Sequence, residues 1–311
     1  MIHHLSHSPL QPHEGTVTLT DGRVLGYACY GDPAAPPVLY FHGFPGCRTE
    51  PAMINVHGVR LIAVERPGYG LSDPKDGRTL LDWPRDVAQL IETLELDRPY
   101  VVGMSGGAPY AAACAYALGD RLSGAALLAG IAPPNLGWEA GSPAGALMAM
   151  GRRPLALRLA AKALLRMLRH GDAFSAMAAL SNKLGAIPGL DVRMPKPAVT
   201  ERVIAGWRHA LRHGVHGPLG DALVYGQPWG FDIADIRIPV AIWHGGADRT
   251  VPVAAAHAYA AGIPGARLHI REGESHFSLI FRHYGAVLAD LLRHRAEPGQ
   301  PGRAADWSRV A

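Results

Sequence analysis

Short, continuous apolar runs constrain the fold of this chain more than any other feature of its sequence. Five such runs, each four or five residues long, lie at Val38–Phe41, Leu61–Val64, Tyr100–Met104, Ala125–Ala129 and Pro239–Trp243, and Ala266–Ile270 resumes the strand pattern with two polar residues between its apolar ones. Runs of this kind are typical of strands buried on both faces of a parallel sheet. Helical periodicity separates or follows the later runs, at Thr79–Leu94, Ala108–Leu118, Val253–Ala261 and Ser278–His294. The pattern predicts the α/β class, with a mostly parallel sheet and crossover helices.

Two further regions complete the predicted organisation. Glu14–Asp32 alternates around Asp21-Gly22 and predicts a hairpin before the first buried run. Between residues 133 and 230 the strand pattern stops, and glycines and prolines separate three predicted helices, at Pro154–His170, Ala173–Leu184 and Thr200–His213. We therefore expect a core domain formed by residues 1–132 and 231–295, an inserted helical cap or lid at 133–230, and a polar tail at 296–311.

The composition excludes several classes of protein. A chain with 48% hydrophobic and 18% charged residues can bury a large core, so disorder is excluded as its dominant state. No apolar run approaches the roughly 18 to 20 residues of a membrane-spanning helix, and the N-terminus does not resemble a secretory leader. Three scattered cysteines form neither a disulfide framework nor a paired metal site. We expect a cytoplasmic protein without stable membrane insertion.

The sequence Gly103-Met104-Ser105-Gly106-Gly107 places a G-x-S-x-G motif where a predicted strand meets a predicted helix. In a nucleophile elbow the serine occupies a sharp, strained turn, and the glycines around it let neighbouring backbone approach. Ser105 is therefore the candidate nucleophile. The alternative interpretation is a serine that only caps a helix in a glycine-rich turn.

A serine hydroxyl needs a base, and the base needs an orienting acid. Asp248 and His276 each follow the end of a late predicted strand, so both can reach the sheet edge that carries Ser105. His42 and His244 leave their strands too early to serve as the base. The alternatives are a helix-capping carboxylate at position 248 and a partly buried loop histidine at position 276.

An acyl-transfer site also requires two backbone N–H donors for the tetrahedral oxyanion. The amide of Gly106, directly after the candidate nucleophile, is one expected donor. The loop Phe41-His42-Gly43-Phe44-Pro45-Gly46 follows an early strand, and Phe44 is the second expected donor. An ordinary glycine and proline turn is the alternative interpretation of this loop.

These residues, with the Arg66-Pro67-Gly68-Tyr69-Gly70 loop and Ser72, resemble the α/β-hydrolase superfamily over about residues 15–294. The resemblance implies an eight-stranded sheet, a cap after the sixth strand and a Ser-His-Asp triad without cofactor or metal. Serine at position 105 argues against the dehalogenase and epoxide hydrolase branches, which use a carboxylate nucleophile. We expect hydrolysis of a small to medium, fairly apolar ester, thioester or lactone. Aminopeptidase, carbon-carbon hydrolase, perhydrolase and slow-turnover ligand receptor are the alternatives.

Charge is unevenly distributed along the chain. Residues 133–230 carry twelve lysines or arginines against five acidic residues, whereas the whole chain has a net charge of only +4. A solvated surface explains this excess most simply, and steering of an anionic substrate or docking on acidic lipid are the alternatives. Arg158, Lys162, Arg166 and Arg169 form a basic stripe on one face of a predicted helix, without interleaved aromatic residues, so nucleic acid is not an expected partner. The expected partner is a small acyl substrate, and a homo-oligomer stays open.

The predicted cap also contains large apolar side chains that could belong either to a core or to the walls of a substrate pocket. They are Trp138, Met148, Phe174, Met177, Trp207 and Trp229.

Overall fold

The computed structural model describes residues 12–54, 56–134, 136–159 and 197–294. One eight-stranded sheet organises this part of the chain, with the strand order β1-β2-β4-β3-β5-β6-β7-β8. The strands are β1 His13–Thr18, β2 Val24–Gly31, β3 Pro37–Phe41, β4 Arg60–Val64, β5 Tyr100–Met104, β6 Gly124–Leu128, β7 Val240–Gly245 and β8 Arg267–Arg271. β2 runs antiparallel to β1 and β4, and the remaining neighbours are parallel. The predicted hairpin and the predicted mostly parallel sheet are confirmed.

Helices flank the sheet on both faces. In the described ranges the α-helices with defined bounds are α1 Asp82–Thr93, α2 Ala108–Ala117, α3 Pro143–Gly151, α4 Pro197–Ala210, α5 His216–Gly226, α6 Val253–Gly262 and α7 His276–Arg293, and α2, α6 and α7 pack directly on the sheet. Alternate residues of each strand enter different cores: Leu39 and Phe41 pack in the cluster that includes α1, α2 and α6, whereas Val38 and Tyr40 pack with α7. Burial on both faces explains why the strands are apolar without alternation.

The register of the parallel strands brings four loops to one edge of the sheet. Phe41 at the end of β3 pairs with Gly103 of β5, and Gly245 at the end of β7 pairs with Arg271 of β8. The chain leaves each of these strands at its carboxyl end, where ligands bind in open α/β sheets. The fold therefore collects the loops after β3, β5, β7 and β8 around one site.

Residues 129–239 connect β6 to β7, and we call them the β6–β7 segment. The predicted helix at Thr200–His213 corresponds to α4, whereas Ala173–Leu184, most of Pro154–His170 and the predicted polar tail lie outside the described residues. Helices α3 and α5 were not predicted, because their glycines and prolines are typical of helix breakers.

Close packing between α3 and α5 explains these glycines. A Cβ at Gly151 would lie 1.8 Å from the carbonyl oxygen of Ala222, and a Cβ at Gly226 would lie 2.6 Å from that of Met148. The two helices can therefore approach only where side chains are absent. A start signal for α3 is also present: Ser142 accepts a hydrogen bond from the amide of Gly145, with proline at the first helical position.

Candidate active site

Ser105 lies in a strained turn between β5 and α2. Its φ angle is +54°, in the left-handed region that a non-glycine residue rarely adopts. The turn is tight enough that a Cβ at Gly103 would lie 2.4 Å from the carbonyl oxygen of Gly107, and a Cβ at Gly107 would lie 2.1 Å from that of Phe41. The two outer glycines of the motif are therefore required by backbone contacts, as the elbow interpretation predicts.

The structure brings the three residues singled out in the sequence into one hydrogen-bonded row. Ser105 Oγ lies 3.0 Å from His276 Nε2, and His276 Nδ1 lies 2.7 Å from Asp248 Oδ2. Because a carboxylate only accepts hydrogen bonds, Nδ1 carries the proton and Nε2 presents its lone pair to the serine hydroxyl. All three residues are buried, with 9%, 3% and 6% of their surfaces exposed for Ser105, His276 and Asp248.

His276 is the first residue of α7, which begins earlier than the predicted start at Ser278. The helix starts there because Ser275 and Ser278 form a reciprocal capping box, in which each side chain accepts a hydrogen bond from the other residue's amide. This cap fixes the backbone at His276 next to the loop after β8.

The Asp248 carboxylate is held on both of its oxygens. Oδ1 accepts hydrogen bonds from the amides of Thr250 and Val251, at 2.9 and 3.0 Å. Burial alone would raise the pKa of Asp248, but the imidazoles of His276 and His244 lower it well below its usual value. Asp248 is therefore ionised and fixed in orientation.

His244 is a second histidine on the same carboxylate. Its Nε2 lies 3.3 Å from Asp248 Oδ2 and 2.8 Å from the carbonyl oxygen of Val251. Both neighbours are acceptors, so Nε2 carries a proton. His244 therefore helps to fix the Asp248 carboxylate.

Phe44 and Gly106, the two expected oxyanion donors, are neighbours beside the nucleophile. A Cβ at Gly106 would lie 2.9 Å from the Cβ of Phe44, and a Cβ at Gly43 would lie 3.8 Å from the Cβ of Ser105. The carbonyl of Ser105, which shares a peptide with the Gly106 amide, accepts a hydrogen bond from the amide of Ile131 at 3.2 Å. The loop after β3 and the start of α2 thus meet at Ser105.

Glu50 is a site residue that sequence reasoning missed. Its carboxyl accepts hydrogen bonds from the Gly43 amide, at 3.2 and 3.0 Å for the two oxygens, and from the Tyr40 hydroxyl at 3.0 Å. Burial raises the pKa of Glu50. No motif marks an acid at this position, and only its contact with the loop after β3 reveals it.

A cavity of about 150 Å³ opens over Ser105 and His276. Its walls are mostly apolar, and α4 contributes to them through Val203 and Trp207. Other wall residues are Met53, Ile54, Met104, Phe277, Ile280 and Phe281. Trp207 is thus a cavity wall.

Three other large apolar residues of the predicted cap lie in the described ranges and are not among the lining residues of this cavity. Trp138, Met148 and Trp229 are buried in the core, whereas Phe174 and Met177 lie outside the described residues.

The described ranges contain neither a cluster of metal ligands nor a membrane-spanning helix. No three His, Cys, Asp or Glu side chains are grouped there in a way that could hold a metal ion. None of the helices within these ranges combines the length and the apolar character needed to cross a membrane.

Comparisons with known proteins agree with this architecture. Residues 36–283 match the family model of the alpha/beta hydrolase fold. A non-heme chloroperoxidase from Streptomyces lividans is 34% identical over 125 residues, 38% of this chain and 45% of that protein. A bifunctional esterase/perhydrolase from Acinetobacter calcoaceticus is 25% identical over 246 residues, 76% of this chain and 83% of that protein.

Solved structures share the fold across most of the chain. A hydrolase from Pseudomonas aeruginosa superposes with a TM-score of 0.66 at 22% identity, covering 90% of this chain and 98% of that one. The family model covers well over half of the sequence and includes the motifs around Phe44, Ser105, Asp248 and His276. This chain therefore belongs to the alpha/beta hydrolase fold family.

Proposed function

We propose that the protein is a serine hydrolase that cleaves small to medium, fairly apolar carboxylic esters, thioesters or lactones. The observation that carries the proposal is the row of hydrogen bonds from Asp248 through His276 to Ser105, with the serine in a strained, buried turn. Activation of a serine hydroxyl requires this order of acid, base and nucleophile.

In the proposed mechanism, Ser105 Oγ attacks the acyl carbon while its proton passes to His276 Nε2. The tetrahedral oxyanion accepts hydrogen bonds from the amides of Phe44 and Gly106. The bond to the leaving alcohol or thiol then breaks, and His276 protonates that group. Water attacks the acyl-enzyme and gives a proton to His276, and collapse of the second intermediate releases the acid and restores Ser105. Asp248 stabilises the imidazolium in both halves.

The cavity supports the proposed substrate class. Its walls are predominantly aliphatic and aromatic, and its volume of about 150 Å³ suits a short acyl or alkyl group. Trp207 and Val203 contribute to these walls from α4, so the β6–β7 segment takes part in shape selection. This arrangement is also the basis for proposing residues 133–230 as a cap over the core domain.

A fluorophosphonate probe tests the proposal directly. The probe should phosphonylate Ser105, which peptide mass spectrometry will locate, and the Ser105→Ala variant should lose both labelling and turnover of p-nitrophenyl esters. An adduct on another residue, or full esterase activity in Ser105→Ala, would show that the proposed mechanism is wrong.

Perhydrolysis is a second candidate, favoured by two relatives named as a chloroperoxidase and an esterase/perhydrolase. In this reaction hydrogen peroxide replaces water as the nucleophile on the acyl-enzyme and yields a peracid. Titrating peracid in mixtures of wild-type protein, acetate and hydrogen peroxide distinguishes the two. A rate that Ser105→Ala abolishes would support perhydrolysis, and no peracid above the protein-free rate would remove it.

The cellular setting is also part of the proposal. Cys29, Cys47 and Cys114 are all free thiols, which is typical of proteins kept in a reducing compartment. We therefore propose a cytoplasmic location. The proposed partner is a small acyl substrate, with no nucleic acid partner.

A further inference from the structure

Asp221 is a fully buried carboxylate on α5, far from Ser105 in sequence. Its two oxygens lie within hydrogen-bond distance of two arginines and three tyrosines: Arg66, Arg78, Tyr69, Tyr110 and Tyr225. Sequence reasoning counted Asp221 only among the acidic residues of a basic, solvated cap. Removing charged groups from water costs free energy, and only close, well-oriented partners offset this cost. The buried donors around Asp221 therefore indicate a role other than that of a solvated surface charge.

Arg66 connects this carboxylate to the loop after β3. Asp221 Oδ2 accepts hydrogen bonds from Arg66 Nε at 3.0 Å and from Nη2 at 2.7 Å. The same guanidinium donates from Nη2 to the carbonyl oxygen of Gly43 at 3.0 Å, and from Nη1 to that of His42. Burial alone would raise the pKa of Asp221, but Arg66 and Arg78 lower it to about 2, so the carboxylate stays ionised.

The Gly43 carbonyl belongs to the peptide whose N–H is the expected oxyanion donor. Peptide 43–44 is trans, and in a planar trans peptide the C=O and the N–H point in opposite directions. When Arg66 fixes the Gly43 oxygen, the direction of the Phe44 N–H is fixed as well. Glu50 holds the preceding N–H of Gly43 from the cavity side, so the loop is held on both sides of this peptide.

The same helix also reaches the second half of the predicted oxyanion hole. Tyr225 lies one turn after Asp221 on α5, and its hydroxyl lies 2.8 Å from the carbonyl oxygen of Gly106 and 3.1 Å from Asp221 Oδ2. A Cβ at Gly106 would lie 2.5 Å from the Tyr225 hydroxyl. One face of α5 therefore supports both backbone segments that surround the reacting group.

We infer that Asp221 is a positioning residue for the oxyanion hole: through Arg66 it orients the Gly43–Phe44 peptide so that the Phe44 N–H faces the acyl oxygen. The inference rests on the proposed serine hydrolase function. Asp221 does not line the cavity, so it acts on the reaction only through the residues it holds.

Asp221→Asn tests the inference, because an asparagine cannot replace the acceptor that binds both arginines. An oxyanion donor contributes mainly in the transition state, so kcat for p-nitrophenyl butyrate should fall about 10- to 100-fold while KM changes less than about threefold. The rate of fluorophosphonate labelling of Ser105 should fall by a similar factor, since phosphonylation also places an oxygen in the hole.

Asp86→Asn is the matched control for loss of a buried ion pair. Asp86 is 2% exposed and accepts two hydrogen bonds from Arg23, at 3.0 and 2.6 Å, and neither residue lines the cavity. The Asp86→Asn substitution should lower the melting temperature but leave kcat within about twofold of the wild-type value. Arg66→Lys keeps the cation and loses the forked geometry, and it should lower kcat about fivefold or more. This variant tests the inference even if Asp221→Asn does not fold.

The results distinguish failure of the positioning role of Asp221 from failure of the proposed serine hydrolase function. A wild-type protein whose Ser105 is not labelled overturns the serine hydrolase proposal and the inference with it. If the wild-type protein is labelled at Ser105, and Asp221→Asn or Arg66→Lys keeps the wild-type kcat and labelling rate, the inference is wrong but the serine hydrolase proposal stands. A raised kcat in Asp221→Asn would also overturn it, because that result would indicate an effect of net positive charge instead of orientation.

Discussion

The edge of the sheet and the β6–β7 segment contribute to the same site in different ways. Ser105, Asp248 and His276 leave the carboxyl ends of β5, β7 and β8, and the register of the strands is enough to bring them together. The segment adds α4, which forms a wall of the cavity, and α5, which holds Arg66 and the carbonyl of Gly106. In the proposed mechanism the sheet supplies the reacting groups, and the segment supplies the shape of the cavity and the orientation of the backbone donors.

Different interactions stabilise the two regions. The central strands β5, β6 and β7 are mostly apolar and buried at every residue. The α5 helix instead meets the core through a buried network of charged and hydroxyl groups around Asp221, and it meets α3 through glycines. Substitutions in the two regions should therefore fail in different ways.

The largest expected effect belongs to the sheet edge. Asp248→Asn removes the charge that orients His276, and kcat should fall about 10⁴-fold while the fold is retained. Steady-state ester hydrolysis and circular dichroism measure the two quantities. Asp290→Asn removes a carboxylate on α7 that accepts from Arg267 at 3.2 Å, and it should stay within about twofold of wild type. A loss below about tenfold in Asp248→Asn would contradict the assigned role.

The second prediction concerns the glycine contact in the segment. Gly151→Ala places a methyl group 1.8 Å from the backbone of α5, so the two helices must separate. Unfolding free energy should fall by about 1–3 kcal/mol in denaturant titration, and kcat should fall because α5 carries Asp221 and Tyr225. If the unfolding free energy falls by the expected amount and kcat of the folded protein is unchanged, α5 does not set the geometry of the site.

Gly285→Ala provides the matched control for that substitution. Gly285 lies on the exposed face of α7, and a Cβ there would meet nothing within 4 Å. Alanine should stabilise the protein by up to about 1 kcal/mol, because glycine is a poor helix former. The same substitution should therefore lower the unfolding free energy at position 151 and raise it at position 285.

The third prediction is a pH dependence of stability. The pKa of Asp221 is about 2 in the folded protein, below its usual value of 3.8, and that of Asp248 is also lowered. The unfolded chain therefore binds more protons between these values, and stability falls as the pH drops from about 4 towards 2. Thermal unfolding should show this loss, with a shallower slope in Asp221→Asn. An equal slope in the variant would contradict the contribution of Asp221.

The smallest expected effect concerns substrate shape. Trp207→Ala removes a wall of the cavity that comes from α4, so kcat/KM for an octanoyl ester relative to an acetyl ester should rise, on the order of three- to tenfold. His209→Ala changes an exposed residue of the same helix and should leave this ratio unchanged. An unchanged ratio in Trp207→Ala would mean that α4 does not limit the acyl chain.

Much of this architecture can be predicted from the sequence, because local patterns determine it. The strand at Tyr100–Met104 and the other buried strands can be recognised from short apolar runs in the sequence, and the elbow motif marks Ser105. His276 and Asp248 follow from their position after strands, since parallel strands end at one edge.

The supporting contacts could not be predicted in this way. Asp221 and Tyr225 matter through partners that are distant in sequence, and no spacing rule connects residue 66 with residue 221. Glu50 lies near its partners Tyr40 and Gly43 in sequence, but no motif marks it. Helices α3 and α5 were missed because the glycines that allow their close packing are, in isolation, typical of helix breakers.

The contacts of α5 also determine how this protein could be recombined with its relatives. A chimera that exchanges the whole β6–β7 segment would discard Asp221 and Tyr225 while keeping Arg66 and Gly106, their partners in the core. Two buried arginines, Arg66 and Arg78, would then lose the carboxylate of Asp221 that binds them here. An exchange that stops before His216 keeps these pairs together and still replaces the cavity wall formed by α4. The useful border for grafting a new substrate preference therefore lies inside the segment, between α4 and α5.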